Sequence, residues 1–127
     1  MLFKKKHIVC VSGFFDPVHS GHIHYFNSIK KKGYKLMVIV NNDSQVKLKK
    51  GIVNTPDEER AKIIREFRSV DYAAISIDSD LTQCKTLQNI NPRPKFFCAG
   101  QYTHNVNIPE ADVCSSLGIK LIYKITQ

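Results

Sequence analysis

The sequence predicts an α/β domain: one doubly wound sheet of about five parallel strands, with helices on both faces. Three observations predict it. Short apolar runs recur at residues 7–12, 36–40, 72–77, 95–99 and 120–125. Runs of this kind, without polar alternation, belong to strands buried on both faces. Segments with helical spacing of apolar residues alternate with them, which is the order of a parallel sheet with crossover helices. The 127 residues also contain no repeat, linker or low-complexity block, so residues 1–127 read as a single domain.

The elements follow in order. Residues 7–12 (HIVCVS) form the first strand and residues 13–18 a loop. Residues 20–31 carry Ile23, Phe26 and Ile29 at helical spacing, and Gly33 suits the position just past a helix end. Residues 36–40 (LMVIV) form the second strand. Residues 41–55 are polar and Lys-rich and read as an exposed loop. Thr55 can cap the next helix, Pro56 suits its first position, and three acids at 57–59 suit its first turn. That helix runs to about residue 68. The third strand covers 72–77, and a helix over 81–89 is stopped by Asn91-Pro92. A fourth strand covers 95–99, a helix 108–117 ends before Gly118, and a fifth strand covers 120–125.

Composition narrows the function. The net charge of +8 favours anionic partners. Only four of the 19 cations are arginines, and no aromatic-plus-arginine signature of an RNA-reading sheet is present. Nucleic acid is therefore not the expected partner, and the lysine clusters at 4–6 and 30–32 read as a solvated surface. No run of about 18 apolar residues exists to cross a membrane. Cys10, Cys84, Cys98 and Cys114 form no C-x-x-C pair, which excludes a zinc knuckle. Cys10 and Cys98 lie in apolar runs and read as small hydrophobes. With no leader segment, the expected location is the cytoplasm.

The chemistry concentrates at residues 13–22, GFFDPVHSGH. Open α/β sheets bind ligands at the carboxyl ends of their strands, and this is the first such end. Gly13 lets backbone N–H groups approach a ligand. The following helix start offers unpaired N–H groups and a partial positive charge, a ready anion site. His19 and His22 share one face of its first turn, with Gly21 between them keeping that face open. Two imidazoles there can hold phosphate oxygens and stabilise charge developing on them. Metal ligation would need a third ligand, and only Asp16 is near. Helix capping is the structural alternative. No P-loop lysine, G-x-G-x-x-G or Ser-His-Asp arrangement is present.

Gly13-Phe14-Phe15-Asp16 followed by His19-Ser20-Gly21-His22 resembles the G-x-F-D…H-x-G-H signature of the cytidylyltransferase-like nucleotidyltransferases. That Rossmann-like family includes glycerol-3-phosphate cytidylyltransferase and the adenylyltransferase of ADP-heptose synthesis. The resemblance continues through Val40-Asn41-Asn42-Asp43, Lys47-Leu48-Lys49-Lys50-Gly51, Glu59-Arg60, Ser69-Val70-Asp71-Tyr72, Phe97-Cys98-Ala99-Gly100 and Ile108-Pro109-Glu110, in the family's order.

The resemblance implies a nucleotidyltransferase. A phosphorylated small alcohol or sugar would attack the α-phosphorus of a nucleoside triphosphate, and pyrophosphate would leave. Such chemistry needs positioning and charge neutralisation rather than a covalent nucleophile. By the same resemblance, His19, His22 and Lys49 are the catalytic candidates. Gly13, Phe14, Phe15, Asp16, Gly21, Lys47, Arg60, Gly100 and Gln101 are the nucleotide-binding candidates. Mg²⁺ would accompany the triphosphate, held by its oxygens and water with no protein ligand. The short chain favours CTP, and the likeness to the ADP-heptose enzymes makes ATP the alternative. A homodimer is the implied assembly.

Three positions depart from the family pattern. Phe14 stands where a small residue is usual, and Gln101 where Asp is usual. The sequence given ends at Gln127 without the Ser/Thr-rich phosphate motif of the relatives, which raises the alternative of a nucleotide-binding homologue with decayed activity. The same lysines could be a solvated loop, and Arg60 could pair with Asp57 or Glu66 on its own helix.

Overall fold

A computed structural model describes residues 6–99 and 108–123. Five parallel strands form one sheet in the order β3-β2-β1-β4-β5. They are β1 (Ile8–Gly13), β2 (Lys35–Val40), β3 (Tyr72–Ile75), β4 (Phe96–Cys98) and β5 (Lys120–Ile122). The helices are α1 (Ser20–Lys31), α2 (Asp43–Lys50), α3 (Asp57–Arg65), α4 (Cys84–Asn89) and α5 (Ala111–Leu117). The strand order reverses between β1 and β4, so the switch point lies beside Gly13, where β1 ends.

The period-2 alternation of strands explains why the apolar runs are continuous. Val9, Val11, Leu36, Val38 and Val40 turn to one face, where Phe26 and Ile29 of α1 and Ala61 and Ile64 of α3 cover them. Cys10, Met37 and Ile39 turn to the other, against Leu87 of α4 and Cys114 of α5. Both faces are dry, so both residue sets must be apolar. Burial pushes the Cys10 thiol far above its ordinary range, and all four cysteines are free.

One expected loop is a helix. Residues 43–50 form α2, for reasons local to its ends. Asn42 caps it: its side chain accepts the Gln45 N–H at 2.9 Å, and the Gln45 side chain accepts the Asn42 N–H at 2.9 Å. Gly51, at φ +83°, ends it in the left-handed conformation that glycine adopts without penalty. Polar composition hid this helix, because apart from the buried Val46 its contacts with the rest of the chain are largely polar. Gln45 Nε2 donates to Asp80 O and Thr82 O, and Asn42 Nδ2 donates to Ser76 O and Asp78 O.

The start of α3 also differs. Pro56 is its N-cap, and the Asp57 N–H is satisfied from α2 by Asp43 Oδ1 at 2.9 Å, while Asp57 Oδ2 accepts the Asp43 N–H at 3.0 Å. Thr55 instead turns its N–H toward Asp16. Helix α3 stops at Arg65, and β3, α4, β4 and α5 are each shorter than the sequence suggests, while residues 124 and 125 of the expected fifth strand lie outside the described residues. No helix among the described residues is long and apolar enough to cross a membrane.

Candidate active site

The site forms where β1 gives way to α1. His19 is extended (φ −144°, ψ 176°) and is the N-cap of α1. Its Nδ1 accepts the Gly21 N–H at 3.1 Å, and its own N–H donates to His22 Nδ1 at 3.0 Å. A side chain that accepts a first-turn N–H is the ordinary capping device, here built from imidazoles. Both Nδ1 atoms are thus acceptors, which assigns both ring protons to Nε2. The rings stack with centroids 3.9 Å apart and planes 20° apart. Two Nε2–H donors are therefore held side by side over a helix N-terminus, and no acid stands in that first turn to compete for an anion. Capping and ligand binding are not rival readings here, because the cap leaves the Nε2–H groups as the free donors.

His22 is held neutral. Its half-burial lowers its pKa from the ordinary 6.5, and the His19 ring and the Lys50 ammonium lower it further. The Phe15 ring supplies the apolar contact, edge-on to His22 at 4.9 Å. Phe15 itself has φ +54°, a conformation costly for a non-glycine residue. Burial of its ring against Phe26 holds it there. Gly13 is required by the same ring, since a Cβ at this position would lie 2.8 Å from it. A Cβ at Gly21 would lie 2.9 Å from the His19 imidazole, so this glycine keeps the cap in place.

Arg60 is fully buried, and its guanidinium is spent on protein oxygens. Nη1 donates to Phe14 O and Asn41 O, each at 2.7 Å, Nε donates to Thr55 O at 2.7 Å, and Nη2 pairs with Asp43 Oδ1 at 2.8 Å. It pairs with neither Asp57 nor Glu66. Its place is behind the loop that would receive phosphate, holding the Phe14 and Asn41 carbonyls. Asp16 is buried as well, and its two carboxylate oxygens accept the Asn54 and Thr55 N–H groups at 2.8 and 3.0 Å. It shapes the loop.

The helical form of α2 redistributes the lysines. Lys50, which the sequence reading did not single out, reaches the loop: its Nζ donates to Asp16 O at 3.0 Å and lies 5.6 Å from the Phe14 ring centroid. Lys47 stands three residues earlier, on the same helical face. Lys49 is exposed and about 100° around the helix from Lys50. The signal that would have found Lys50 is the Asn42-x-x-Gln45 capping pair, which turns a lysine loop into a helix with faces. Gly100 and Gln101 lie outside the described residues. A separate cavity of about 390 Å³ opens at edge strand β3, between Tyr72 and Ile90, and includes none of these residues.

No group of three or more His, Cys, Asp or Glu side chains among the described residues could hold a metal ion. Asp16 is already engaged.

Comparisons with known proteins bear on the family and the fold. Residues 10–118 match the family model described as cytidylyltransferase-like. FAD synthase of Pyrococcus abyssi (strain GE5 / Orsay) is 41% identical over 76 residues, covering 58% of this chain and 51% of the relative. FAD synthase of Thermococcus onnurineus (strain NA1) is 36% identical over 103 residues, covering 75% of this chain and 68% of the relative. The matched part of the chain spans little more than half the length of several of these relatives. The crystal structure of the lipopolysaccharide core biosynthesis protein from Thermoplasma volcanium GSS1 superposes with a TM-score of 0.72 at 28% identity, covering 97% of this chain and 99% of that one. With a family match over most of its length and a histidine pair at the switch point of the sheet, the chain belongs to the cytidylyltransferase-like family.

Proposed function

We propose that this chain transfers a nucleotidyl group from a nucleoside triphosphate to a phosphate-bearing small molecule. An acceptor phosphate oxygen forms a bond to the α-phosphorus, the bond from that phosphorus to the β-phosphate bridging oxygen breaks, and pyrophosphate leaves. The observation that carries the reading is the reciprocal capping of His19 and His22. It fixes two Nε2–H donors beside a helix N-terminus, the arrangement suited to phosphate oxygens whose charge grows during transfer. Lys50 and Lys47 bring positive charge from α2, with Lys49 further around it. Gly13, Phe14 and Phe15 supply the backbone against which the triphosphate lies, and Mg²⁺ neutralises part of its charge when bound. Gly100 and Gln101 border the base in this proposal.

The match to the family described as cytidylyltransferase-like favours CTP as donor. The similarity to proteins named FAD synthase favours ATP, since FAD carries an adenylyl group. A homodimer and a cytoplasmic location accompany the proposal.

Calorimetric titration of MgCTP and MgATP into the intact chain tests it, together with H19A and H19N. Asparagine keeps a capping acceptor but removes the Nε2–H donor. Saturable binding of one nucleotide, weakened about tenfold by both substitutions, supports the site and selects the base. Equal binding by H19N and wild type would assign His19 a capping role alone. Binding without pyrophosphate release across phosphorylated acceptors would favour a nucleotide-binding protein over an enzyme.

A further inference from the structure

A second polar chain crosses the carboxyl end of the sheet, and the histidine pair does not use it. Asn41 follows β2, and its main-chain N–H donates to Gly13 O at 2.9 Å. Its Oδ1 accepts Gln83 Nε2 at 2.6 Å. The Gln83 main-chain N–H, at the start of α4, donates to Glu110 Oε2 at 2.8 Å, at the start of α5. Asn41, Gln83 and Glu110 are 4%, 2% and 5% exposed. One buried chain of hydrogen bonds therefore runs from the start of α5 to the glycine that opens the phosphate loop.

Two atoms in this chain have no partner among the described residues: Gln83 Oε1 and Glu110 Oε1. Buried polar atoms are almost always paired, so two orphans in one cluster need an explanation. Both are acceptors when Glu110 is ionised. The charged and titratable groups around Glu110 are the Asp78 and Asp80 carboxylates before α4, the Cys84 thiol on α4 and the Cys114 thiol on α5. The two ion pairs among the described residues, Lys30–Asp71 and Arg60–Asp43, leave Glu110 without a cation.

We propose that Glu110 carries a proton on Oε1 in the folded protein, donates it to Gln83 Oε1, and so acts as a positioning residue for the nucleotide loop. One proton satisfies both orphans, because it turns one of the two acceptors into a donor. Burial and the neighbouring carboxylates both favour the neutral form, raising the pKa of Glu110 above its ordinary 4.5. Through Gln83 and Asn41 the protonated carboxyl fixes where Gly13 stands relative to the starts of α4 and α5. The competing assignment reverses both amides, Asn41 and Gln83, and leaves Glu110 ionised.

The positioning role rests on the nucleotide reading above; the protonation does not. The test combines the ¹³C shift of the Glu110 carboxyl from pH 4 to 9 with MgATP and MgCTP affinities of wild type, E110Q and E110A over that range. We expect Glu110 to titrate above its ordinary 4.5. Wild-type affinity should fall several-fold, relative to E110Q, as pH rises through that titration. E110Q, whose amide N–H replaces the carboxyl O–H, should stay within about twofold of wild type below it. E110A should lose about tenfold, with circular dichroism reporting whether it folds. Titration at or below the ordinary range would overturn the proposal and support the reversed amides. E110Q losing as much as E110A would overturn it too. If wild type binds neither nucleotide, the reading of the site fails, while the carboxyl titration still decides the proton.

Discussion

The main-chain N–H of His19 donates to Nδ1 of His22, while Nδ1 of His19 accepts the Gly21 N–H in the first turn of the same helix. Protonating the His22 ring at Nδ1 would set a proton against the His19 N–H. The helix start therefore disfavours a His22 imidazolium, and the first prediction concerns that proton. His22 should titrate below 6.5 in ¹H–¹⁵N spectra, and K50M should move it back upward, since Lys50 contributes to the depression. The sign for stability follows. A histidine depressed in the folded state contributes stability that is present above about 6.5 and is lost as pH falls through the folded value. H22N should flatten that acid limb in thermal melts.

Gly21 tests whether the cap itself matters. A Cβ there would sit 2.9 Å from the His19 ring, which must tilt off its Gly21 contact. G21A gains helix propensity of about 1 kcal/mol and loses a cap of about 1 kcal/mol. Its melting temperature should therefore change little, while nucleotide affinity drops about tenfold by calorimetry. An unchanged affinity would show that the Nε2–H donors tolerate the tilt.

The sheet and the histidine site were legible because each is written locally. Val9, Val11, Leu36 and Val38 must be apolar on one face, and Cys10, Met37 and Ile39 on the other, so the strands show as unbroken runs. The glycines and histidines of residues 13–22 carry their roles in adjacent positions. Helix α2 was not legible by hydrophobic periodicity, because only Gln45 and Val46 are buried along it. Arg60 stood out in the sequence, but its buried position behind the loop did not show there. Its partners Phe14, Asn41 and Asp43 are 46, 19 and 17 residues away and offer mostly carbonyl oxygens, which any residue type supplies. The Asn41–Gln83–Glu110 chain was hidden by distance along the sequence, its links spanning 42 and 27 residues.

The lysines of α2 separate a helix from a loop. On a flexible loop Lys47, Lys49 and Lys50 would be interchangeable; on α2 only Lys50 touches Asp16 and Phe14. K50A should weaken nucleotide binding about tenfold at low salt, and K49A less than about threefold. The gap should narrow as ionic strength rises, because exposed charges are screened. Titrations at 50 mM and 500 mM salt check both statements, and equal losses from K49A and K50A would count against a face-specific role.

Arg60 is the costliest side chain to remove from this site. Its guanidinium satisfies three buried or half-buried carbonyls and one carboxylate. R60M keeps much of the apolar stem and leaves those oxygens unpaired, at a cost of about 3–5 kcal/mol. Lysine is no substitute, since one ammonium cannot span the directions that a planar fork serves. Both R60M and R60K should lower the urea midpoint sharply, R60K less. The Phe14 carbonyl would lose its anchor beside the strained Phe15, so nucleotide affinity should fall even in the fraction that remains folded. An R60K variant with wild-type affinity and a lowered midpoint would confine Arg60 to stability and separate the loop's position from its anchor.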